Sequence, residues 1–390
     1  MRSLPFGLTV ADKQLSKAIG LEQRGSIELE RKGLTSHMTL LHGFALTFVA
    51  GVSVGFCLWS LKWARIWKFE NFWLVYCIVS LIILPFTIAY WFLPHLREVY
   101  ASLSPAEFLK PFIFGALWGF AQLGAGICAH KLGFAVSGSV LNGTGAAVGT
   151  LAPLILLHRA VMFETNGLLI LVGVAIMLVG VALCGWGGYH REEEAKRQGR
   201  GAGFSPEESA MSQKAQSRVT YFLFVGIALG SGVLSALTNV ALAYGGDIME
   251  KVRAAGGAAS WAPFAVWPIV LIGGSIVNIG YSIYLLSKNH TWGNFKHGIK
   301  EGFNPVLAGC LWMGGIALYS SGTTYLGVLG ISVGFALYTI TMILCGQLAA
   351  IFTGEWLRMH ANVYRSFAAG IACLSVAVLA IAASNYFGAR

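Results

Sequence analysis

The chain has 390 residues, of which 56% are hydrophobic and only 11% charged, with a formal net charge of +10. Soluble domains carry about 25% charged residues, so this composition excludes a soluble enzyme, a nucleic-acid module and a disordered scaffold. With a mean hydropathy of +0.67, it describes a protein whose solvent is lipid, and the basic excess is what cytoplasmic loops need.

Residues 1–37 hold no apolar stretch of signal-peptide length and read as a flexible tail of mixed charge. Beyond them, ten runs have the roughly 20 apolar residues that a helix needs to cross a bilayer. They are 38–61, 72–93, 111–130, 134–157, 167–187, 219–244, 263–287, 304–326, 328–353 and 363–385. Being long and continuous, they do not suit transmembrane strands. Only Lys131–Gly133 joins the third run to the fourth, and only the neighbourhood of Gly327 joins the eighth to the ninth. The one long polar stretch, 189–218, contains Glu192, Glu193, Glu194, Gly199 and Gly201 and reads as a linker. Lys and Arg gather in the odd-numbered loops, at Lys62, Arg65, Arg191, Lys196, Lys296 and Lys300 among others. The positive-inside rule then puts those loops in the cytoplasm and both termini outside. The seven cysteines lack any CxxC, which supports neither a disulfide frame nor a thiolate metal site.

The two sides of the linker resemble each other. Gly115-Ala116-Leu117-Trp118 corresponds to Gly309-Cys310-Leu311-Trp312 at an offset of 194, and Lys131-Leu132-Gly133 corresponds to Tyr325-Leu326-Gly327 at the same offset. Residues 38–188 and 219–390 therefore read as two five-helix repeats. Five is odd, so the second repeat enters the membrane upside down. Substrate sites near the interface of such inverted repeats are a recurrent transporter feature.

All 17 Asp and Glu fall in the tail, in loops or at span ends. None is mid-membrane, where an ionisable group costs at least ~2.5–3.5 kcal/mol and marks ion or proton paths. A neutral chamber disfavours ion channels, antiporters of cationic drugs and metal transport, and favours an uncharged polar solute. Trp118 and Gln122 share a face of the third span, and Trp312 and Tyr319 share one in the eighth. Asn142, Asn239, Asn278, Tyr338 and Thr341 add amides and hydroxyls at suitable depth. Aromatic plates with such groups suit a sugar, whose C–H face packs on Trp and whose hydroxyls need partners once desolvated; Trp118 and Trp312 are expected to flank it.

Plainer readings stand beside these. Membrane Ser and Thr often bond their own i−4 carbonyl, and buried amides can be interhelical glue. The pairs Gly51/Gly55, Gly115/Gly119, Gly145/Gly149 and Gly226/Gly230 suit close helix packing, and Trp67, Trp73 and Trp91 suit interfacial belts. His42, Glu70 and Glu355 lie near span ends and are the candidates for proton coupling or gating. No GxxxxGK[ST] loop is present, so transport is driven by a gradient or passive, and no cofactor or metal is expected.

At these residues the sequence resembles the L-rhamnose–proton symporter family of the drug/metabolite transporter superfamily, over about 43–385. The likeness rests on Trp67-Lys68-Phe69-Glu70 through Trp73, Ile82-Ile83-Leu84-Pro85, Phe114 to Gly119, and Leu132-Gly133 onward to Gly149-Thr150-Leu151 with Pro153. In the second half it rests on Gly273-Gly274, Asn278, Gly280 and Glu355-Trp356. It implies ten spans in two inverted repeats and L-rhamnose uptake with protons as co-substrate, in the inner membrane. The alternatives are an exporter or uncoupled carrier of small metabolites on the same scaffold, or a membrane enzyme acting on lipid-linked sugars.

Overall fold

The computed structural model describes residues 39–57, 66–132, 134–197, 218–327, 329–352 and 361–388, and every regular element among them is helical. Contacts divide the chain into Met1–His42 and Gly43–Arg390, and the bundle, from Gly43 of its first helix onward, belongs to the second. Its helices are α1 (Thr39–Cys57), α2 (Phe69–Phe92), α3 (Pro105–Leu132), α4 (Phe134–Leu157) and α5 (Thr165–Arg197). Then come α6 (Arg218–Ser235, resumed as Leu237–Tyr244), α7 (Trp267–Lys288), α8 (Phe303–Tyr325), α9 (Gly330–Phe352) and α10 (Ala361–Gly388). Among the described residues nine helices are long and apolar enough to cross a membrane, and α9 contributes a shorter apolar stretch, Gly330–Gly346. Phe120, Phe222, Ile276 and Leu379 point outward, as lipid-facing side chains must.

Several local features follow from single residues. Ser104 and Glu107 cap the start of α3 reciprocally: the Ser104 N–H donates to Glu107 Oε2 at 2.6 Å and the Glu107 N–H to Ser104 Oγ at 3.4 Å, with Pro105 at the first helical position. In α2 the turn Ile78–Ile83 widens into a π-helix, and the Leu84 N–H reaches back five residues to the Val79 carbonyl. Pro85 follows it; lacking an N–H, it leaves a carbonyl that the wider turn accommodates. α5 runs on to Arg197, past the predicted end of the fifth run at 187. Its polar extension is rich in helix formers, and Tyr189 donates to Glu193 at 3.1 Å, one turn on.

Glycines set how the helices meet. Lipid gives no hydrophobic reward for helix contact, so association relies on close backbone approach. A Cβ added at Gly115 of α3 would lie 1.8 Å from the Val270 carbonyl oxygen of α7, and one at Gly273 would lie 2.1 Å from that of Phe112. Along α5, Gly173, Gly180 and Gly187 recur every seventh residue and meet Ile381, Leu374 and Phe367 in turn. Rising numbers against falling ones make α5 and α10 antiparallel. Of the four predicted glycine pairs, three pack against neighbouring helices, whereas Gly226 and Gly230 have nothing within 4 Å of an added Cβ and face outward.

The packing contacts come in matched pairs. On α1, Gly51 rests on Thr341 and the Tyr338 carbonyl of α9; on α6, Gly232 rests on Thr144 and the Leu141 carbonyl of α4. In both, a glycine meets a threonine and the carbonyl three residues before it. Similarly α8 meets α1 through Gly315 and Val54, while α3 meets α6 through Gly124 and Ser231.

Gly115→Ala should lower stability by about 1–3 kcal/mol, because a backbone carbonyl cannot yield as a side chain can. Gly226→Ala should lose none. Thermal unfolding of the two purified variants in one detergent checks the contrast.

Candidate functional site

A cavity of about 440 Å³ lies between the helices, within the ~300–1,000 Å³ range of small-molecule sites. Eight helices supply its wall, α1 to α4 and α6 to α9, and none of its lining residues is Asp, Glu, Lys, Arg or His. The chamber is neutral. Among the described residues no group of His, Cys, Asp and Glu could hold a metal ion.

Trp118 of α3 and Trp312 of α8 both line this cavity. They do not stand apart to sandwich a ligand: their rings stack on each other, centroids 6.0 Å apart and planes 20° apart. A sugar ring between them would need two contact layers of about 4 Å each, so in this conformation only outer faces and edges are available. The stack continues through Tyr76, edge-on to Trp312 at 6.4 Å, and Trp73, 5.1 Å from Tyr76. Gly274 opposes the Trp118 ring closely enough that an added Cβ would lie 2.6 Å from it. Glycine there lets the indole lie flat against α7.

The polar groups fall into two sets. One is committed to protein partners. Asn239 is fully buried; its Oδ1 accepts the Tyr319 hydroxyl and its Nδ2 donates to the Gly149 carbonyl at 2.7 Å, which joins α8, α6 and α4. Asn239 is not itself on the cavity wall, although Tyr319 is. Asn278 accepts from Trp73 Nε1 at 3.3 Å and donates to the Gly274 carbonyl at 3.0 Å. The Trp267 indole donates to Ser320 Oγ. Thr339 bonds back to the Phe335 carbonyl at 2.7 Å, the ordinary behaviour of a membrane threonine.

The other set is uncommitted. Gln122, Asn142 and the Tyr338 hydroxyl line the cavity and make no hydrogen bond among the described residues. An amide has two donors and an acceptor with two lone pairs, so these groups can match several hydroxyls of a desolvated solute. Thr341 is not on the wall; it is buried beneath Gly51 of α1.

The gating candidates lie elsewhere. His42 is exposed near the start of α1, and Glu355 lies outside the described residues. Glu70, only 5% exposed, opens α2 and accepts from two neutral donors, Asn289 at 3.1 Å and Thr291 at 2.8 Å. Asn71 beside it donates to the Thr291 carbonyl and accepts from Asn294, so the start of α2 is tied to the α7–α8 connection.

Trp73, Tyr76 and Trp267 are cavity residues that the sequence reading did not select. Trp73 lies near the start of its run, where an interfacial belt is expected, yet α2 turns it toward the cavity. A signal was present: Trp73 and Trp267 are 194 residues apart, as Trp118 and Trp312 are.

A multi-pass helical bundle around a neutral, aromatic and amide-lined chamber defines a membrane carrier rather than an enzyme. The comparisons with known proteins agree. Residues 37–389 match the family of L-rhamnose-proton symport protein (RhaT). A protein called L-rhamnose-proton symporter in Mannheimia succiniciproducens is 24% identical over 82% of this chain and 90% of its own length. Proteins of that name in Yersinia pestis and Yersinia pseudotuberculosis are each 25% identical over 79% of this chain and 88% of theirs. The chain belongs to the L-rhamnose-proton symport protein family.

The two polar sets should separate on mutation. Tyr319→Phe strands the buried Asn239 oxygen and should lower stability by about 1–3 kcal/mol. Asn142→Ala breaks no internal bond and should change stability by less than about 0.5 kcal/mol. Thermal unfolding in detergent measures both.

Proposed function

We propose that this protein imports L-rhamnose together with protons, by alternating access of two inverted five-helix repeats, 38–188 and 219–390. The observation that carries the reading is the neutral chamber with unspent hydrogen-bonding groups at Gln122, Asn142 and Tyr338 beside an aromatic wall. Hydroxyls leaving water need such partners, since each one stranded costs about 1–3 kcal/mol. The C–H face and the 6-methyl group of a deoxysugar pack on Trp118, Trp312 and Tyr76. The matched contacts Gly51–Thr341 and Gly232–Thr144 support the repeat, as does the antiparallel meeting of α5 and α10.

In this reading Gln122, Asn142 and Tyr338 hold the sugar directly, while Asn239, Asn278 and Tyr319 keep the wall in shape. No lining side chain carries a charge at neutral pH, so the proton is handled away from the chamber centre. Glu70 is the leading candidate, a buried carboxylate between neutral donors at a junction of the two repeats; His42 and Glu355 are the others. The loop charges support an inner-membrane orientation with the odd-numbered loops in the cytoplasm and both termini outside.

Uptake of labelled L-rhamnose by cells lacking their own permease, with external pH recorded, tests the proposal. Sugar addition should alkalinise the medium; uptake without a pH change removes the coupling, and absence of uptake removes the substrate. Trp118→Ala and Asn142→Ala should each lower uptake about tenfold or more at unchanged membrane abundance. Glu70→Gln should abolish accumulation against a gradient while sparing exchange of internal for external sugar, which counterflow in proteoliposomes would reveal.

A further inference from the structure

We infer that Glu107 and Glu301 are equivalent latches on two gates at opposite faces of the membrane, and that transport opens them in turn. The inference rests on the alternating-access reading above. Glu107 precedes Trp118 by the interval that separates Glu301 from Trp312. Pro111 and Gly115 fall between the first pair where Pro305 and Gly309 fall between the second. The shared segment thus extends from the tryptophan back to the carboxylate, and each carboxylate stands where its helix enters the bundle. Successive membrane helices alternate in direction, so α3 and α8 begin on opposite faces.

Each glutamate holds the other set of five helices. Glu107 Oε2 accepts from Lys251 Nζ at 2.8 Å, and Lys251, in the helix Gly246–Ala254 after α6, also donates to the Ser102 carbonyl at 3.0 Å. Glu301 accepts the backbone N–H of Ile66 at 2.9 Å and of Trp67 at 2.8 Å, in the connection between α1 and α2. Because α1 corresponds to α6 and α3 to α8 in the matched packing, this is one contact made twice: a carboxylate at the entry to the third helix of one set grips the connection after the first helix of the other. The gripped groups differ. One is a partly exposed lysine ammonium; the other includes two backbone donors beside the buried Trp67 indole, which Phe295 meets edge-on at 5.1 Å.

Both contacts are made in this conformation. A solute can leave to one face only when the latch there releases, and it must not find both released together.

Side-specific thiol labelling tests this. Cys57 and Cys77 line the cavity and serve as reporters once the other five cysteines are replaced. A membrane-impermeant maleimide is applied to right-side-out and inside-out vesicles. Glu301→Ala should raise labelling about tenfold from the face bearing the α1–α2 and α7–α8 connections, the population change expected when a charge-assisted hydrogen bond is lost. Glu107→Ala should raise it from the opposite face, and Lys251→Gln should reproduce that effect with Glu107 intact. Glu301→Gln, whose amide oxygen still accepts, should restore most of the closed behaviour. Equal increases from both faces, or no increase in a variant that remains monodisperse, would overturn the inference. The readout involves no sugar, so polarised labelling in a protein that fails to carry L-rhamnose would keep the gates and discard only the substrate.

Discussion

Close approach of helix backbones at glycine is the constraint on which this structure depends. In hydrocarbon an apolar side chain gains nothing by turning inward, and what holds the helices is the packing that small residues permit. Gly115 and Gly273 let α3 and α7 touch carbonyl to Cα, and Gly173, Gly180 and Gly187 open a groove in α5 for α10. Eight of these helices wall the central cavity, and glycines of the packing contacts, Gly55 and Gly145, are part of its lining.

The chemistry of that space follows from dielectric cost. A charge near the bilayer centre is expensive, and the wall contains none. What remains to recognise a solute is hydrogen bonding and aromatic surface, and the structure divides the first into spent and unspent groups. Tyr319, Asn239 and the Gly149 carbonyl satisfy one another across three helices, which rigidifies the wall, while Gln122 and Asn142 keep their full valence. Charged side chains appear where the chain meets water: Glu70 under the α7–α8 connection, Glu107 and Glu301 at two helix entries. Neutral polar groups thus line the chamber, and these three carboxylates lie outside it.

Much of this was legible in the amino-acid order. The length of the apolar runs, the absence of central acids and the repeated Gly-x-Leu-Trp segment pointed to a helical carrier with a neutral chamber and to Trp118 and Trp312 as part of it. Individual amides were less legible. Asn142 and Asn239 look alike as isolated polar residues in apolar runs, yet one faces the cavity unpaired and the other is consumed inside the wall. Thr341 and Tyr338 are three residues apart on α9, but Thr341 carries the weight of Gly51. Trp73 lies near the start of its run and reads as an interfacial anchor until the fold turns it inward.

Composition and periodicity determined by themselves which segments sit in lipid and that no charge sits at their centre, because the solvation cost of each residue there hardly depends on its neighbours. Which polar atom is spent and which is free, whether two indoles stand apart or stack, and which glycine touches a backbone were decided only by the tertiary structure. Those properties belong to pairs of groups far apart in the chain, and only the crossing of the helices brings the pairs together.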